Sequence, residues 1–389
     1  MRKFNASRLV DARTYNKITG EDLATAVGIK KQAISQFENG KASPEYGTVC
    51  KISNVLRFPV QFFYEDDIPV LQGNTYFRAL FTSNKRELNS QKIKTKYVAQ
   101  IYATLTRYVD FRAYNVPVFE DTTDISKIAS QLRDYWGLGQ EPIPDMVSLL
   151  ERNGVVMSEF ATDSSKIDAF SQYDEIKGVP YHCIVLGTEK GSFVRRQFSC
   201  AHELGHIILH EKYEDLSEIS REDFRRREDE ANTFAAEFLL PREAFLADLQ
   251  RHANKLNRYI ELKRKWRVSI AAMIYRAHDL HEITDSQYQY LMRQVSQNGW
   301  RQIEPLDEYL PLRHPKAIKQ AINLIILNGV LTGSQLLQEI SNDGITLPKT
   351  VIDEILSLEP DTIVEDDIDS SSKIISFAQL RANNSKETL

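Results

Sequence analysis

The sequence predicts an α+β protein in which a small sheet lies between two helical regions. In the N-terminal part, apolar side chains recur at helical spacing in short segments that end at glycines. Two apolar, β-branched segments, 155–160 and 182–186, have the composition of strands and precede a mostly apolar helix. Helical spacing returns after residue 246. We therefore expect an all-α N-terminal domain, a mixed core and a helical C-terminal region.

The bulk composition is typical of a soluble globular protein of two or three domains. The chain has 389 residues, of which 42% are hydrophobic and 26% are charged. It contains no apolar run of membrane-spanning length, and no secretory signal is visible after Met1. Cys50, Cys183 and Cys200 are too few and too scattered for a disulfide framework. These features predict a cytoplasmic protein that does not enter a membrane.

The charge is unevenly distributed along the chain. Residues 1–57 carry ten basic and five acidic side chains and have a net charge of +5, whereas the whole chain has −5, so the remainder has −10. A basic N-terminal part joined to an acidic body is typical of a protein that contacts nucleic acid at one end only. On charge alone, an ordinary solvated face explains the pattern equally well.

The N-terminal helices have the spacing of a helix-turn-helix. Residues 9–17, 21–27 and 31–38 each repeat apolar side chains with helical periodicity. Gly28 follows the second segment as a C-cap, and Gly40 closes the third. A short turn between two such helices allows the later one to enter the major groove of DNA.

This region resembles the Cro/C1-type (XRE) helix-turn-helix family. The resemblance covers about residues 7–65 and rests on the runs Leu23-Ala24-x-x-Val27-Gly28-Ile29 and Ile34-Ser35-Gln36-Phe37-Glu38-Asn39-Gly40-Lys41-x-x-Pro44. By position it implies that three side chains contact base edges, namely Lys31, Gln32 and Gln36. It implies phosphate contacts by Ser35, Asn39 and Lys41, with a double-stranded DNA operator as the partner. Because operators tend to be two-fold symmetric, a homodimer is expected.

One position departs from the pattern of that family. The family usually has Gln at the start of its second helix, where it braces a backbone contact, whereas this sequence has Gly20. Loss of the contact predicts weaker DNA binding. The alternative is a helix-turn-helix that serves protein docking or dimerisation.

The segment His202-Glu203-Leu204-Gly205-His206 has the His-Glu-x-x-His pattern of a metal-binding helix. Side chains at i and i+4 share one face of a helix, so both imidazoles can reach a single ion. The glutamate between them is placed to accept a proton from water. The alternative is a core helix whose two histidines only form hydrogen bonds.

A catalytic zinc needs a third protein ligand. Position 209 is Leu rather than Gly, so the pattern with a third histidine in the same segment does not apply, and His210 lies a further turn along the helix. A second amphipathic segment, 228–241, ends at Pro241 and has an acidic edge. That edge can supply the third ligand and complete a His₂Glu site. The alternative is that these carboxylates only form the solvent-exposed face of the helix.

The two segments together resemble the ImmA/IrrE family of metallopeptidases, which is gluzincin-like. The resemblance extends from about residue 130 to 245 and includes Glu228-x-x-Ala231-Asn232-x-Phe234-Ala235-Ala236 after the His-Glu-x-x-His helix. Residues 168–171 also resemble a family loop near the cleft. The family implies a Zn²⁺ site with His202, His206 and Glu228 as ligands (Glu230 is the substitute candidate), Glu203 as the general base, and Asn232 as a residue that orients a ligand.

The predicted function combines both resemblances. It is a DNA-binding transcriptional regulator with zinc-dependent endopeptidase activity. The family implies that the substrate is a helix-turn-helix repressor or antitoxin protein, or the chain itself, cleaved in a stress or phage-related response. An extended substrate is expected to add as a strand along residues 181–187. The alternative function is a non-catalytic repressor or antitoxin that uses the peptidase fold to sense a metal or ligand.

The expected domain boundaries follow from these segments. The order is a helix-turn-helix domain at 1–68, a helical connector at 69–129, a gluzincin-like metallopeptidase core at 130–245, a helical subdomain at 246–305 and a helical C-terminal region at 306–389. The last region includes an acidic tail from Glu359 to Asp369. An apolar segment from Ile374 to Leu380 is expected to dock as a terminal strand or helix.

Overall fold

A computed structural model describes residues 3–77, 84–120, 123–162, 167–189, 191–213, 219–249 and 252–364. The apolar segment 374–380 and the acidic positions from 365 onward lie outside the described residues. Among the residues that are described, no helix combines the length and the apolar character that crossing a membrane requires.

The N-terminal domain consists of short helices whose ends follow from local capping. Thr19 and Asp22 form a capping box at the start of the second helix, and Gly28 ends that helix in a left-handed conformation with φ of 78°. The turn at Gly28 sets the direction in which the third helix leaves. The predicted helices are confirmed as α1 (Ala6–Tyr15), α2 (Gly20–Val27) and α3 (Lys31–Glu38), followed by α4 (Tyr46–Leu56) and a 3-10 helix (Val60–Tyr64).

A small sheet lies at the centre of the protein. Its strands are β1 (Val70–Phe77), β2 (Val156–Phe160), β3 (Ala169–Ile176) and β4 (Val179–Gly187). They lie side by side in the order β1-β3-β4-β2. β1 pairs antiparallel with β3, β3 pairs antiparallel with β4, and β2 pairs parallel with β4. The mixed sheet surrounded by helices confirms the predicted α+β class.

Two strands and one expected substrate edge differ from the sequence-based predictions. The sequence predicts β2 and β4 but neither β3 nor β1, which starts the connector expected to be helical. Polar residues within β3 and the pair Gly73 and Asn74 within β1 conceal the alternation of a half-buried strand. The expectation that a substrate adds along 181–187 is wrong, because β4 lies between β3 and β2 and has no open edge.

The two faces of the sheet are covered by different helices. Cys183 and Val185 of β4 join the apolar core that includes α5 (Lys85–Leu105), whereas Ile184 points to the opposite face and joins the core of α8 (Phe193–Leu209). The core on the α8 side also contains α6 (Ile125–Tyr135), α7 (Met146–Arg152), α9 (Arg221–Leu239), α10 (Arg242–Leu249), α11 (Leu256–Trp266), α12 (Ile270–Asp279) and α13 (Asp285–Gln297).

Close packing of α8 on α9 places the two predicted metal-binding segments side by side. A Cβ atom on Gly205 would lie 3.2 Å from Cα of Ala231 and 3.2 Å from Cδ1 of Phe234, so glycine permits the approach of the helices at this point. Ser192 and Ser220 cap the first turns of α8 and α9 through side-chain hydrogen bonds. The close approach of the two helices therefore lies in the C-terminal half of α8.

The C-terminal helices pack against the N-terminal domain. Arg8 donates a hydrogen bond of 2.8 Å to the carbonyl oxygen of Gly344, and the amide of Thr346 donates one of 2.9 Å to the buried carboxylate of Glu65. These contacts accompany a continuous apolar core, so the helix-turn-helix is anchored to the rest of the chain. The helices concerned are α14 (Ala317–Leu327), α15 (Gly333–Asn342) and α16 (Lys349–Leu356).

Candidate functional site

Three of the predicted ligands meet between α8 and α9. Nε2 of His202 lies 3.0 Å from Nε2 of His206. The carboxylate of Glu228 lies 3.6 Å from Nε2 of His202 and 3.3 Å from Nε2 of His206. One ligand atom of each residue lies within 4.8 Å of the other two. Glu230, the substitute candidate for the third ligand, lies outside this cluster.

The position of Asn232 determines which nitrogen of His202 carries the proton. Oδ1 of Asn232 lies 3.0 Å from Nδ1 of His202. An amide oxygen can only accept a hydrogen bond, so Nδ1 of His202 is the donor. Nε2 of His202, the ring nitrogen turned away from Asn232, faces Glu228 and is the one that a metal ion would use. The orienting role of Asn232 stays a prediction, and its amide oxygen lies where that role requires an acceptor.

A second chain of contacts orients His206. Nε2 of His210 lies 3.0 Å from Oε2 of Glu230, and Nδ1 of His210 lies 2.9 Å from Nδ1 of His206. The carboxylate accepts from Nε2 of His210, which leaves Nδ1 of a neutral His210 to accept from Nδ1 of His206. This geometry arises because α8 ends at Leu209 and His210 caps it in an extended conformation. Nε2 of His206 is then also unprotonated.

The three ligand atoms fit a divalent cation. His202 and His206 are almost fully buried, and burial lowers the pKa of His206 to about 3, so its ring remains neutral. Oε1 of Glu228 is buried as well and lies 3.3 Å from Nε2 of His206. Three lone-pair donors that converge in a space shielded from water repel one another unless a cation lies between them. Two imidazole nitrogens and one carboxylate form a ligand set that suits zinc.

Glu203 lies on α8 between the two histidines but is not one of the clustered ligands. Its Oε2 accepts a hydrogen bond of 2.7 Å from Oγ of Ser171 on β3. Burial raises the pKa of Glu203 to about 7, against the opposing effects of His202 and Ser171. A carboxyl group with a pKa near neutrality can both take up and release a proton. Ser171 is absent from the predicted site residues, and its only signal in the sequence is the resemblance of residues 168–171 to a family loop.

The six predicted DNA contacts all lie at the surface. Ile34 anchors α3 in the apolar core, and the opposite face of the helix is exposed. Nζ of Lys31 pairs with Oε2 of Glu21 at 2.9 Å, and Nδ2 of Asn39 donates a hydrogen bond of 2.7 Å to the carbonyl oxygen of Ser35. The exposed set consists of Lys31, Gln32, Ser35 and Gln36 on α3 with Asn39 and Lys41 directly after it. The arrangement leaves the outer face of α3 accessible to a nucleic acid.

Comparison with known proteins identifies two domains. Residues 11–63 match the family model described as Helix-turn-helix, and residues 150–278 match that of a peptidase family described as IrrE N-terminal-like domain. The first match contains α2 and α3, and the second contains α8 and α9 with the clustered ligands. No curated protein matches the chain. The chain therefore carries a helix-turn-helix DNA-binding domain of the Cro/C1 type followed by an IrrE N-terminal-like peptidase domain.

Proposed function

We propose that the protein is a DNA-binding transcriptional regulator with zinc-dependent endopeptidase activity. Its substrate is a helix-turn-helix repressor or antitoxin protein, or the chain itself, and the setting is a stress or phage-related response. The observation that carries the proposal is the convergence of His202, His206 and Glu228 beside the buried Glu203, in a chain that also has a DNA-binding domain.

The proposal includes the location and the organisation of the protein. The regulator acts in the cytoplasm, where its operator DNA lies, and it binds the operator as a homodimer because operators tend to be two-fold symmetric. The DNA-binding unit comprises residues 1–68 and the metallopeptidase core comprises 130–245. On α3, Lys31, Gln32 and Gln36 contact base edges. Ser35, Asn39 and Lys41 bind phosphates.

His202, His206 and Glu228 would hold the zinc ion. When bound, zinc supplies a Lewis acid that polarises the peptide carbonyl group and acidifies water. The remaining residues position these ligands. Asn232 orients the ring of His202, and His210 with Glu230 orients the ring of His206.

Glu203 is the general base of the proposed reaction. It accepts a proton from the water molecule that attacks the carbonyl carbon, and it then donates that proton to the amide nitrogen as the C–N bond breaks. The hydrogen bond from Ser171 to Oε2 holds the carboxyl group of Glu203 in place beside the two histidines. The raised pKa of Glu203 suits both steps near neutral pH.

Comparison of the wild type with the Glu203→Gln variant tests this proposal. Each protein is incubated with zinc and with candidate helix-turn-helix repressors or antitoxins, and fragments are identified by mass spectrometry. The exposed Glu261, 65% accessible in its side chain, provides the matched control Glu261→Gln. We expect site-specific fragments with the wild type and the control, and none with Glu203→Gln.

A second outcome would favour the non-catalytic alternative. If zinc-loaded wild type gives no fragments from any candidate but binds operator DNA, the peptidase fold acts as a metal or ligand sensor. Failure of the purified protein to take up zinc at all would contradict both the enzyme and the metal-sensor form of the alternative. Bound zinc is measured by mass spectrometry of the digested protein.

A further inference from the structure

The strand β1 links the DNA-binding domain to the peptidase core, and it lies beside the proposed catalytic residues. β1 follows the last helix of the helix-turn-helix domain and pairs with β3 in antiparallel orientation. β3 carries Ser171, whose hydroxyl binds Glu203. With β4 on its other side, β3 would present an open edge if β1 were absent. The connector thus covers the edge of the strand nearest to the general base.

A bulge in β1 brings its backbone to the end of the metal-binding helix. Gln72 lies opposite Asp174 and Thr75 opposite Gln172, so Gly73 and Asn74 together face one residue of β3. The amide nitrogen of Asn74 donates a hydrogen bond of 2.7 Å to the carbonyl oxygen of Lys212. Its side chain donates another of 2.8 Å to the carbonyl oxygen of Glu211. Both acceptors lie in the segment that follows α8. One edge of β1 therefore bonds to this segment, and the other edge pairs with β3.

The bulge also borders the site itself. A small cavity is lined by Asn74 of β1, Ser171 and Tyr173 of β3, His182 of β4, and His206 and His210. A Cβ atom on Gly73 would lie 2.6 Å from the carbonyl oxygen of Lys212 and 2.7 Å from Cδ1 of Tyr173. No side chain fits at position 73 while β1 is in place. Glycine is therefore required for this strand to occupy the cleft wall.

We propose that the β3 edge is the peptide-binding edge of the peptidase and that β1 is its built-in occupant. The partner for this edge is an extended polypeptide segment that pairs antiparallel with β3 in place of β1. Peptides commonly bind to a sheet by adding a strand to its edge, and β1 shows that this edge accepts one. The inference rests on the proposed function in one respect, namely that the segment that displaces β1 is a substrate of the peptidase. In the resting protein β1 denies a substrate access to Glu203.

Contacts between the DNA-binding domain and the segment before β1 provide a way to regulate whether β1 covers the β3 edge. Nη2 of Arg8 on α1 donates a hydrogen bond of 2.9 Å to the carbonyl oxygen of Asp66, and Oγ of Ser7 donates one of 2.6 Å to Asp67. The two acceptors, Asp66 and Asp67, lie shortly before β1, which begins at Val70. A change in the position of α1, such as one caused by binding to an operator or a partner, is thereby transmitted to the strand that covers the cleft.

A peptide-binding measurement tests the proposal without relying on catalysis. The probe is a fluorescent peptide with the sequence of residues 68–77, Ile-Pro-Val-Leu-Gln-Gly-Asn-Thr-Tyr-Phe. Its anisotropy is measured with the full chain carrying Glu203→Gln and without added metal, so that the peptide is not cleaved. Gly73→Val in the protein expels β1, and we expect it to bind the peptide at least tenfold more tightly than the parent. A control peptide with valine in place of its glycine should not bind.

A milder variant keeps the test decisive if Gly73→Val does not fold. Asn74→Ala retains the glycine but loses the side-chain hydrogen bond to Glu211, and we expect severalfold tighter binding of the peptide. Equal affinity of the parent and of the variants that give a native circular dichroism spectrum would overturn the proposal. Hydrogen exchange provides a second readout, because the amides of β1 should lose protection in each variant whereas those of β4 should not.

The failure of this inference can be distinguished from the failure of the proposed function. Peptide binding that depends on position 73, together with no repressor cleavage by protein that retains Glu203, supports the β3 edge and contradicts the endopeptidase. Repressor cleavage at equal rates by the wild type and by folded Gly73→Val, with no difference in peptide affinity, contradicts the occupant role of β1 and leaves the endopeptidase intact.

Discussion

Oδ1 of Asn232 lies 3.0 Å from Nδ1 of His202, and this contact joins the two helices that carry the candidate metal ligands. His202 lies on α8 and Asn232 on α9, one helical turn after Glu228. The same turn of α9 therefore carries one candidate ligand and the amide that contacts the ring of another. This arrangement explains why the two sequence segments together predict a metal site better than either one alone.

The contact between Asn232 and His202 predicts a graded effect on zinc affinity. We expect Asn232→Ala to weaken zinc binding by about 10- to 100-fold, because Nδ1 of His202 loses its acceptor and the ring is free to rotate. Asn232→Asp retains an acceptor and should bind zinc within a few-fold of the wild type. Competition with a chromogenic chelator measures the affinities. Equal affinities in Asn232→Ala and the wild type would show that the contact does not orient the ligand.

The two acidic candidates on α9 should differ in their effect on the metal. Glu228→Ala removes a carboxylate that lies 3.3 Å from Nε2 of His206, and we expect the loss in zinc affinity to exceed the roughly 100-fold upper range for an outer partner. Glu230→Ala removes only the acceptor of His210, and its effect should remain below about tenfold. Titration of both metal-free variants with zinc gives the comparison. The reverse ranking would make Glu230 the third ligand.

The buried Asp174 on β3 should make stability depend on pH. Burial raises its pKa to about 7, against the opposing effects of Gln172 and Lys96, so the folded protein favours the protonated form. The unfolded chain has a pKa near 3.9, and deprotonation therefore destabilises the fold progressively as pH rises from about 4 to about 7. We expect Asp174→Asn to stabilise the protein at pH 8 by on the order of 3 kcal/mol, and to have little effect at pH 4.

Thermal unfolding of the wild type and Asp174→Asn across this pH range measures the effect. The exposed Asp134 on α6 provides a matched control, because Asp134→Asn makes the same chemical change where water solvates the charge. A stability difference between Asp174→Asn and the wild type that is constant from pH 4 to pH 8 would contradict the prediction.

The exposed face of α3 and the residues directly after this helix should make two classes of DNA contact. We expect Gln36→Ala to relax specificity at one operator position and to cost about 1–3 kcal/mol on the preferred sequence, because it removes a hydrogen bond to a base edge. Lys41→Ala should weaken binding about equally on all sequences. It should also reduce the slope of log affinity against log salt concentration by about one. The measurements use duplexes selected from a random library and salt titration of their affinities. If neither variant alters DNA affinity, α3 serves protein docking instead.

The substitution of Gly20 for the usual glutamine is compatible with the helix-turn-helix geometry. Thr19 and Asp22 still cap α2, and α2 begins at Gly20 itself. The predicted loss of one backbone contact with DNA therefore stays a prediction about affinity, while the folding of α2 is explained by local capping.

Two local patterns on which the proposed function depends can be read from contiguous residues alone. Histidines four residues apart on an apolar helix must share a face, and the capped helices around Gly28 follow from their own side chains. Local periodicity is a property of contiguous residues, so it can be recognised without knowledge of the fold. Together with the family resemblances, it gave His202, Glu203 and His206 and the exposed face of α3.

The way in which distant segments meet follows from long-range packing, which local sequence patterns do not contain. The polar composition of β3 and the Gly73–Asn74 bulge conceal two strands, because each is stabilised by partners far away in the sequence. The choice of Glu228 over Glu230 depends on the rotation of α9 against α8, which the close approach at Gly205 determines. The covering of the β3 edge by the connector is likewise a long-range contact, and such contacts depend on which surfaces can be buried together rather than on local preference.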